Sequence, residues 1–195
     1  MSKFYKLFLG VFIFLLIQTG YAQVVINEYS CANSTAAGYT DSFGEREDWV
    51  ELYNTTGGSI DLNGYYISDK SGNPTKFQIP SSVIIPAGGY IVVFGSGRGV
   101  VAGNEIHTNF KWTQTRNEKI ILSDAGINVL DSLTINPNQH LHSRGRTTNG
   151  ASTWSVFTNP SPNGANAGAQ QEYATRPIFS VAPGFYTAAQ SLIIS

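Results

Sequence analysis

The sequence predicts an all-β protein folded as a two-sheet sandwich, and three observations carry that expectation. Short runs of β-branched and aromatic residues recur along the chain. Clusters of Gly, Asn, Pro and Asp separate them. Beyond residue 22 no stretch sustains apolar residues at the helical period.

Taken in chain order, the first segment is set aside. Lys3 and Lys6 give a basic start, Leu7 to Ile17 is apolar apart from Gly10, and Gly20 and Ala22 are small. That is the three-part layout of a secretory signal peptide over residues 1–22, cleaved before Gln23. Its apolar run is shorter than the roughly 20 residues that a bilayer span requires. With no cysteine at the junction, a lipid anchor is not expected. The expectation is an exported protein, secreted or at the cell surface, without a transmembrane segment once the peptide is removed.

Strands are expected at 24–29, 49–53, 65–68, 77–79, 90–94, 119–123, 129–134 and 154–157. In Trp49-Val50-Glu51-Leu52-Tyr53 the pleat puts Val50 and Leu52 on one face and Trp49, Glu51 and Tyr53 on the other. Tyr90-Ile91-Val92-Val93-Phe94 is apolar on both faces, as a central strand covered from two sides would be. Turns fall at Asn54-Thr55-Thr56-Gly57-Gly58, Asn63-Gly64, Pro86-Ala87-Gly88-Gly89 and Asp124-Ala125-Gly126, each with Gly where positive φ is expected. The last of these closes a hairpin. Gly95-Ser96-Gly97-Arg98-Gly99 reads as a flexible loop, because no helix follows to make it a phosphate cradle. The polar stretch from Asn159 to Gly168 ends the domain at 23–168, and 169–176 reads as a linker. New β structure is expected at 177–195, where the apolar run Leu192-Ile193-Ile194 leads into the last residue. That pattern implies a truncated second module and a longer parent protein.

Charge and cysteine usage narrow the class. Without Lys3 and Lys6, ten basic residues stand against thirteen acidic ones, so clustered phosphate contacts and nucleic-acid binding are not expected. Cys31 is the lone cysteine, which rules out an internal disulfide framework and reads as a small buried residue.

Five ordered elements then carry a family resemblance across about 24–168. Val25-Ile26-Asn27-Glu28 resembles the opening strand of the lamin-tail domain, and Asp48-Trp49-Val50-Glu51-Leu52-Tyr53-Asn54 resembles its core strand. Leu62-Asn63-Gly64-Tyr65-Tyr66-Ile67-Ser68-Asp69 is similar to the strand that follows, and Ile85-Pro86-Ala87-Gly88-Gly89-Tyr90 to the next strand entry. Ser143-Arg144-Gly145-Arg146, Trp154 and the run Thr158 to Asn166 resemble the closing elements, with Asn159-Pro160-Ser161-Pro162 in place of a simple Thr-Pro-Gly. The resemblance implies an immunoglobulin-like β-sandwich of the secreted bacterial type. Its structural signature falls on Glu28, Trp49, Glu51, Tyr53, Asn54, Gly64, Asp69 and Trp154. Pro177-Ile178-Phe179-Ser180 with Gly184-Phe185-Tyr186 is similar to the start of a chitobiase and hexosaminidase C-terminal-like β domain.

Candidate chemistry is sparse. Asp41, Glu45, Glu47 and Asp48, with Glu51 and Glu28 nearby, offer the hard oxygen ligands of a calcium site, although no D-x-D-x-D-G spacing occurs. The competing reading makes Glu28 and Glu51 structural hydrogen-bond acceptors and leaves the loop acids solvated. His140 and His142 would share a strand face but lack a third zinc ligand, so they read as exposed loop residues, and His107 stands far from them. Arg144, Arg146, Lys111 and Arg116 read as local salt-bridge partners. Trp49, Trp112, Trp154, Tyr65, Tyr66 and Tyr90 could form a sugar-stacking platform, yet suit core packing better. No G-x-S-x-G elbow or Ser-His-Asp order is present. The expected function is a non-catalytic exported module that binds an extracellular protein or glycan. The alternative is the accessory region of a secreted enzyme, CotH-type kinase-like or hydrolytic, with its catalytic domain expected beyond residue 195.

Overall fold

The computed structural model describes residues 23–34, 37–174 and 179–193. The expected signal peptide lies outside them. Thirteen strands are found among the described residues and no helix. They are β1 (Val24–Ser30), β2 (Trp49–Asn54), β3 (Ile60–Asp61), β4 (Tyr66–Ser68), β5 (Phe77–Gln78), β6 (Ile84–Ile85) and β7 (Tyr90–Phe94). β8 (Val100–Ala102), β9 (Glu105–His107), β10 (Lys119–Ser123), β11 (Val129–Thr134), β12 (Ser143–Arg146) and β13 (Trp154–Phe157) follow. All eight strands expected from the sequence between residues 24 and 157 are present. Five others are not legible there: β3, β6, β8 and β9 have two or three residues, and β12 has no apolar residue.

The larger sheet runs β13-β12-β1-β2-β7-β9-β8, the smaller runs β11-β10-β4-β5, and β3 with β6 forms a separate ribbon. All pairs are antiparallel except β7 with β9. Between the sheets lies one apolar core. The larger sheet supplies Val24, Ile26, Val50, Leu52, Ile91, Val93 and Ile106 to it, and the smaller sheet supplies Ile67, Phe77, Ile120 and Leu122. As the pleat dictates, Val50 and Leu52 point inward, while Trp49 joins Val92, Phe94 and Tyr39 in a second cluster on the outer face. β7 is therefore buried on both faces.

A bulge in β1 positions the site. The register places Ile26 opposite Leu52 and Glu28 opposite Glu51, leaving Asn27 as the extra residue. Unbroken alternation from Ile26 would aim Glu28 into the core. The bulge resets the phase, so Tyr29 and Cys31 are inward instead. Cys31 is buried and free, as its sequence context implies.

Two expectations are corrected. The glycine-rich run after β7 is a packed crossover rather than a flexible loop: a Cβ on Gly95 would sit 2.7 Å from the Trp112 ring. The segment expected to be a linker from residue 169 is strapped to the sandwich as far as Tyr173. Gln170 bridges to Val156, Glu172 grips Arg144, and the Tyr173 hydroxyl lies 3.0 Å from His142 Nδ1 and accepts from Gln139 N–H. Beyond β13 the described residues hold no further strand, and within 179–193 Ser180 N–H donates to the Ile193 carbonyl.

Candidate functional site

The outer face of the larger sheet collects the residues with chemical potential. Glu28 and Glu51 stand opposite each other on β1 and β2, and both are fully buried. Glu28 accepts from Ser143 Oγ, from Ser161 Oγ at 2.8 Å and from Ser161 N–H at 3.1 Å. Glu51 accepts from Asn27 Nδ2 at 2.8 Å and from Asn163 N–H at 2.7 Å. Asn166 completes the network, donating to the carbonyls of Arg146 at 2.6 Å and Asn27 at 3.2 Å. Loss of water pushes the Glu51 carboxyl up to about 8, and the adjacent Glu28 charge adds to the rise. Burial also raises Glu28, partly offset by its serine donors.

Paired carboxyls of split acidity are what acid–base catalysis uses. Here loop 158–166 covers them, and Gly145 lets it approach: a Cβ there would lie 2.9 Å from Asn166 Nδ2 and 3.0 Å from the Phe157 ring. No sugar fits between fully buried groups whose oxygens are already bonded. Glu28 and Glu51 are structural acceptors.

The acidic loop does not assemble a calcium site. Asp41 Oδ1 accepts from the N–H groups of Phe43 and Glu45, a turn cap rather than a solvated acid. Glu45 pairs with Arg98 at 2.7 Å, and Glu47 pairs with Lys111 at 2.7 Å. Asp48 is pushed up to about 6 by burial and by Glu47. Each acid answers to a different partner. Among the described residues no group of three or more His, Cys, Asp or Glu could hold a metal ion.

His107 was missed by sequence reasoning because Asp41 and Phe43, which meet its ring, are remote in the chain. It is fully buried, stacked on Phe94 at 5.3 Å and met edge-on by Phe43 at 5.0 Å. Ser96 Oγ lies 3.2 Å from its Nδ1, and Glu105 Oε2 lies 3.5 Å from its Nε2. The Asp41 carboxylate stands 3.9 Å from Nδ1. Those members resemble a nucleophile relay, but an imidazole with no exposed surface cannot meet a substrate. His140 is exposed and His142 is half-buried under Tyr173, so they form no metal pair. Arg144 pairs with Glu172 and Arg146 with Asp131. The aromatic platform does not form, because Trp49 and Trp112 are buried, Tyr90 and Trp154 are half-buried on β7 and β13, and Tyr65 and Tyr66 are half-buried in the other sheet at the start of β4.

What remains open beside these groups is a recess of about 470 Å³ at one end of the outer face. Trp49 and Tyr39, with Leu141, Pro160 and Pro162, give it a mainly apolar lining. Asn33 fixes one wall, donating to the carbonyls of Tyr39 and Glu47 and accepting from Tyr39 N–H. Asn163 ties Tyr39 to the closing loop through a 2.8 Å bond to its hydroxyl. Leu141 holds a left-handed φ of 60°, an unfavourable conformation for a residue with a bulky side chain.

Comparison with known families decides what this frame is. The family model of the Lamin Tail Domain matches residues 18–137. The chain belongs to that family. No curated protein matches it. The residues that resemble the lamin-tail signature make contacts within the fold. Tyr53 packs on Tyr90 at 5.2 Å, and Asn54 donates to the carbonyls of Gly58, Ile85 and Pro86, pinning the turn after β2. Gly64 has a φ of 80° before β4, and Asp69 pairs with Lys76 at 2.6 Å. Trp154 packs against Tyr29, with the Arg146 guanidinium over its ring. The matched span of the lamin-tail family stops before β12, β13 and the closing loop, yet these complete the larger sheet and seal its acids.

Proposed function

We propose that this lamin-tail domain is a non-catalytic binding module of an exported protein, taking an extracellular partner at the recess beside Trp49. The recess carries the reading. Its Ser30 and Asn33 side chains are already bonded within the fold, leaving a partner mainly aromatic, leucine and proline surface. A neutral glycan needs free donors and acceptors, so an inserted apolar side chain of a protein segment fits better. The absence of catalytic prospects also supports it: the buried carboxyls and His107 are closed to substrate. Among the described residues no helix is long and apolar enough to cross a membrane. The same reading makes the domain the N-terminal part of a larger protein. Exposed Phe179, Phe185, Leu192 and Ile193 support that, since apolar side chains in such number favour a packing partner.

Immobilised protein should retain cell-surface proteins from the producing organism, and Tyr39→Ala should weaken that retention about tenfold, as expected for an aromatic contact at the centre of an interface. Undiminished retention by Tyr39→Ala would remove the recess from the account. Hydrolysis of a glycan or peptide that disappears in Glu28→Gln would overturn the non-catalytic reading. Export is checked separately, by finding Gln23 at the N-terminus of protein recovered outside the cell.

A further inference from the structure

We propose that the depression between segments 69–76 and 111–119 binds an anionic carbohydrate, one bearing sulfate or carboxylate groups. The inference rests on the reading of this domain as a binding module but uses a surface distinct from the Trp49 recess.

The charge distribution carries it. The described residues hold nine Lys and Arg against thirteen Asp and Glu. Five of those nine, Lys70, Lys76, Lys111, Arg116 and Lys119, line a single depression of about 600 Å³. Asp69 and Glu118 are the acids among them. A chain that is negative overall therefore has one concentrated positive concavity. Lys76 is neutralised by Asp69, and Lys111 by Glu47. Lys119 Nζ bonds only the neutral Thr134 hydroxyl, at 3.1 Å. Neither Lys70 nor Arg116 has a side-chain partner among the described residues. Three cations are left without an ion pair, and the Glu118 carboxylate, which accepts from Thr113 N–H, offsets one of their charges, so the depression keeps a net positive charge.

The fold fixes these groups before any ligand arrives. β4 and β10 are hydrogen-bonded neighbours, which brings the segment after one beside the segment before the other. Lys119 N–H donates to the Asp69 carbonyl at 3.1 Å, joining the two walls. Ser68 Oγ accepts from Lys70 N–H and donates to the Asn73 carbonyl at 2.6 Å, shaping the first wall. Asn117 turns the second with a φ of 52°. A backbone set in this way reduces the ordering cost of binding.

The lining also selects among anions. The side chains of Ser71 and Asn117 make no hydrogen bond among the described residues and can meet hydroxyl groups. No aromatic residue lines the depression, so nucleobases would have nothing to stack on. Cations on two segments across this volume suit a ligand with several separated charges better than a single inorganic ion.

The test titrates the full chain with a heparin-derived sulfated oligosaccharide, an oligogalacturonate and a neutral malto-oligosaccharide. Binding of either anionic sugar, weakening as salt rises from about 50 to about 200 mM, is expected, with none for the neutral one. Which anionic probe binds names the charged group. The double variant Lys70→Gln, Arg116→Gln should lose about tenfold or more, because two of the three cations without an ion pair are gone. Arg46→Gln removes one positive charge outside the lining and should change nothing. Equal binding of the neutral sugar, of inorganic sulfate or of a single-stranded oligonucleotide would overturn the proposal, as would an unaffected double variant. Tyr39→Ala leaves this binding intact if the surfaces are separate. Loss of anionic binding with Tyr39-dependent retention preserved would sink this inference and spare the other.

Discussion

The two faces of the larger sheet are built from the same strands and buried by opposite means. On the inner face Val50 and Leu52 of β2 meet Ile91 and Val93 of β7 within the apolar core. On the outer face the same strand presents Trp49, Glu51 and Tyr53, and Glu51 is as buried as Leu52. Apolar contact is non-directional, so the inner face needs only volume and alternation. A buried carboxyl needs donors at fixed places, and they come from Asn27, Ser143, Ser161 and Asn163. The inner face is thus specified by strands. The outer face is specified by a bulge and by loops more than a hundred residues away.

Truncating the inner face should have the largest effect. Leu52→Ala leaves a cavity among residues that are themselves fully buried, and should cost about 3 kcal/mol by denaturant unfolding. The loss should be the same at pH 5 and pH 8. A cost that depends on pH would mean that the two faces are not energetically separate.

Next comes Gly145→Ala, which acts only on the outer face. Its methyl would meet Asn166, Phe157 and Glu28, and overpacking of this kind costs about 2 kcal/mol. Amide exchange should rise at Ser161, Asn163 and Asn166 while β4 and β10 keep their protection. Uniform loss of protection would show that the closing loop and the core fold as one unit.

The smallest effect sharpens the comparison by pH. Folding raises Glu51 from 4.5 to about 8, so the native state retains a proton that the unfolded chain releases in that window. Its stabilising share is full below about 4.5 and is lost as pH rises through 8. Glu172, held low by Arg144, acts in the opposite direction at more acidic pH. Thermal midpoints should therefore fall between pH 5 and pH 8.5. Glu51→Gln, which removes the titration and keeps the shape but leaves an acceptor for only one of the two donors, Asn27 Nδ2 on Oε1 or Asn163 N–H on Oε2, should flatten that slope at a cost of about 1 kcal/mol at pH 5. An unchanged slope in the variant would assign the pH response to another group.

Much of the frame was legible in the chain. Alternation in Trp49 to Tyr53, the doubly apolar run at Tyr90 and the Asp124-Ala125-Gly126 hairpin each encode their strands locally. Short strands such as β9 were not legible, since three residues show no period, and β12 was hidden by its polar composition. The site was less legible. Glu28 and Glu51 could be read as acceptors, but their donors lie in loops that no local pattern connects to them. Asp41 seemed a solvated acid and is a buried cap beside His107.

The sequence by itself determined the sandwich, its central strands and the family, because side-chain period and turn chemistry act over a few residues. Only the tertiary structure decided which acids are sealed, which cations gather at one depression and which aromatic residues stay partly exposed. Those outcomes depend on contacts between segments far apart in the chain, where burial and hydrogen-bond geometry, rather than residue type, set what a side chain does.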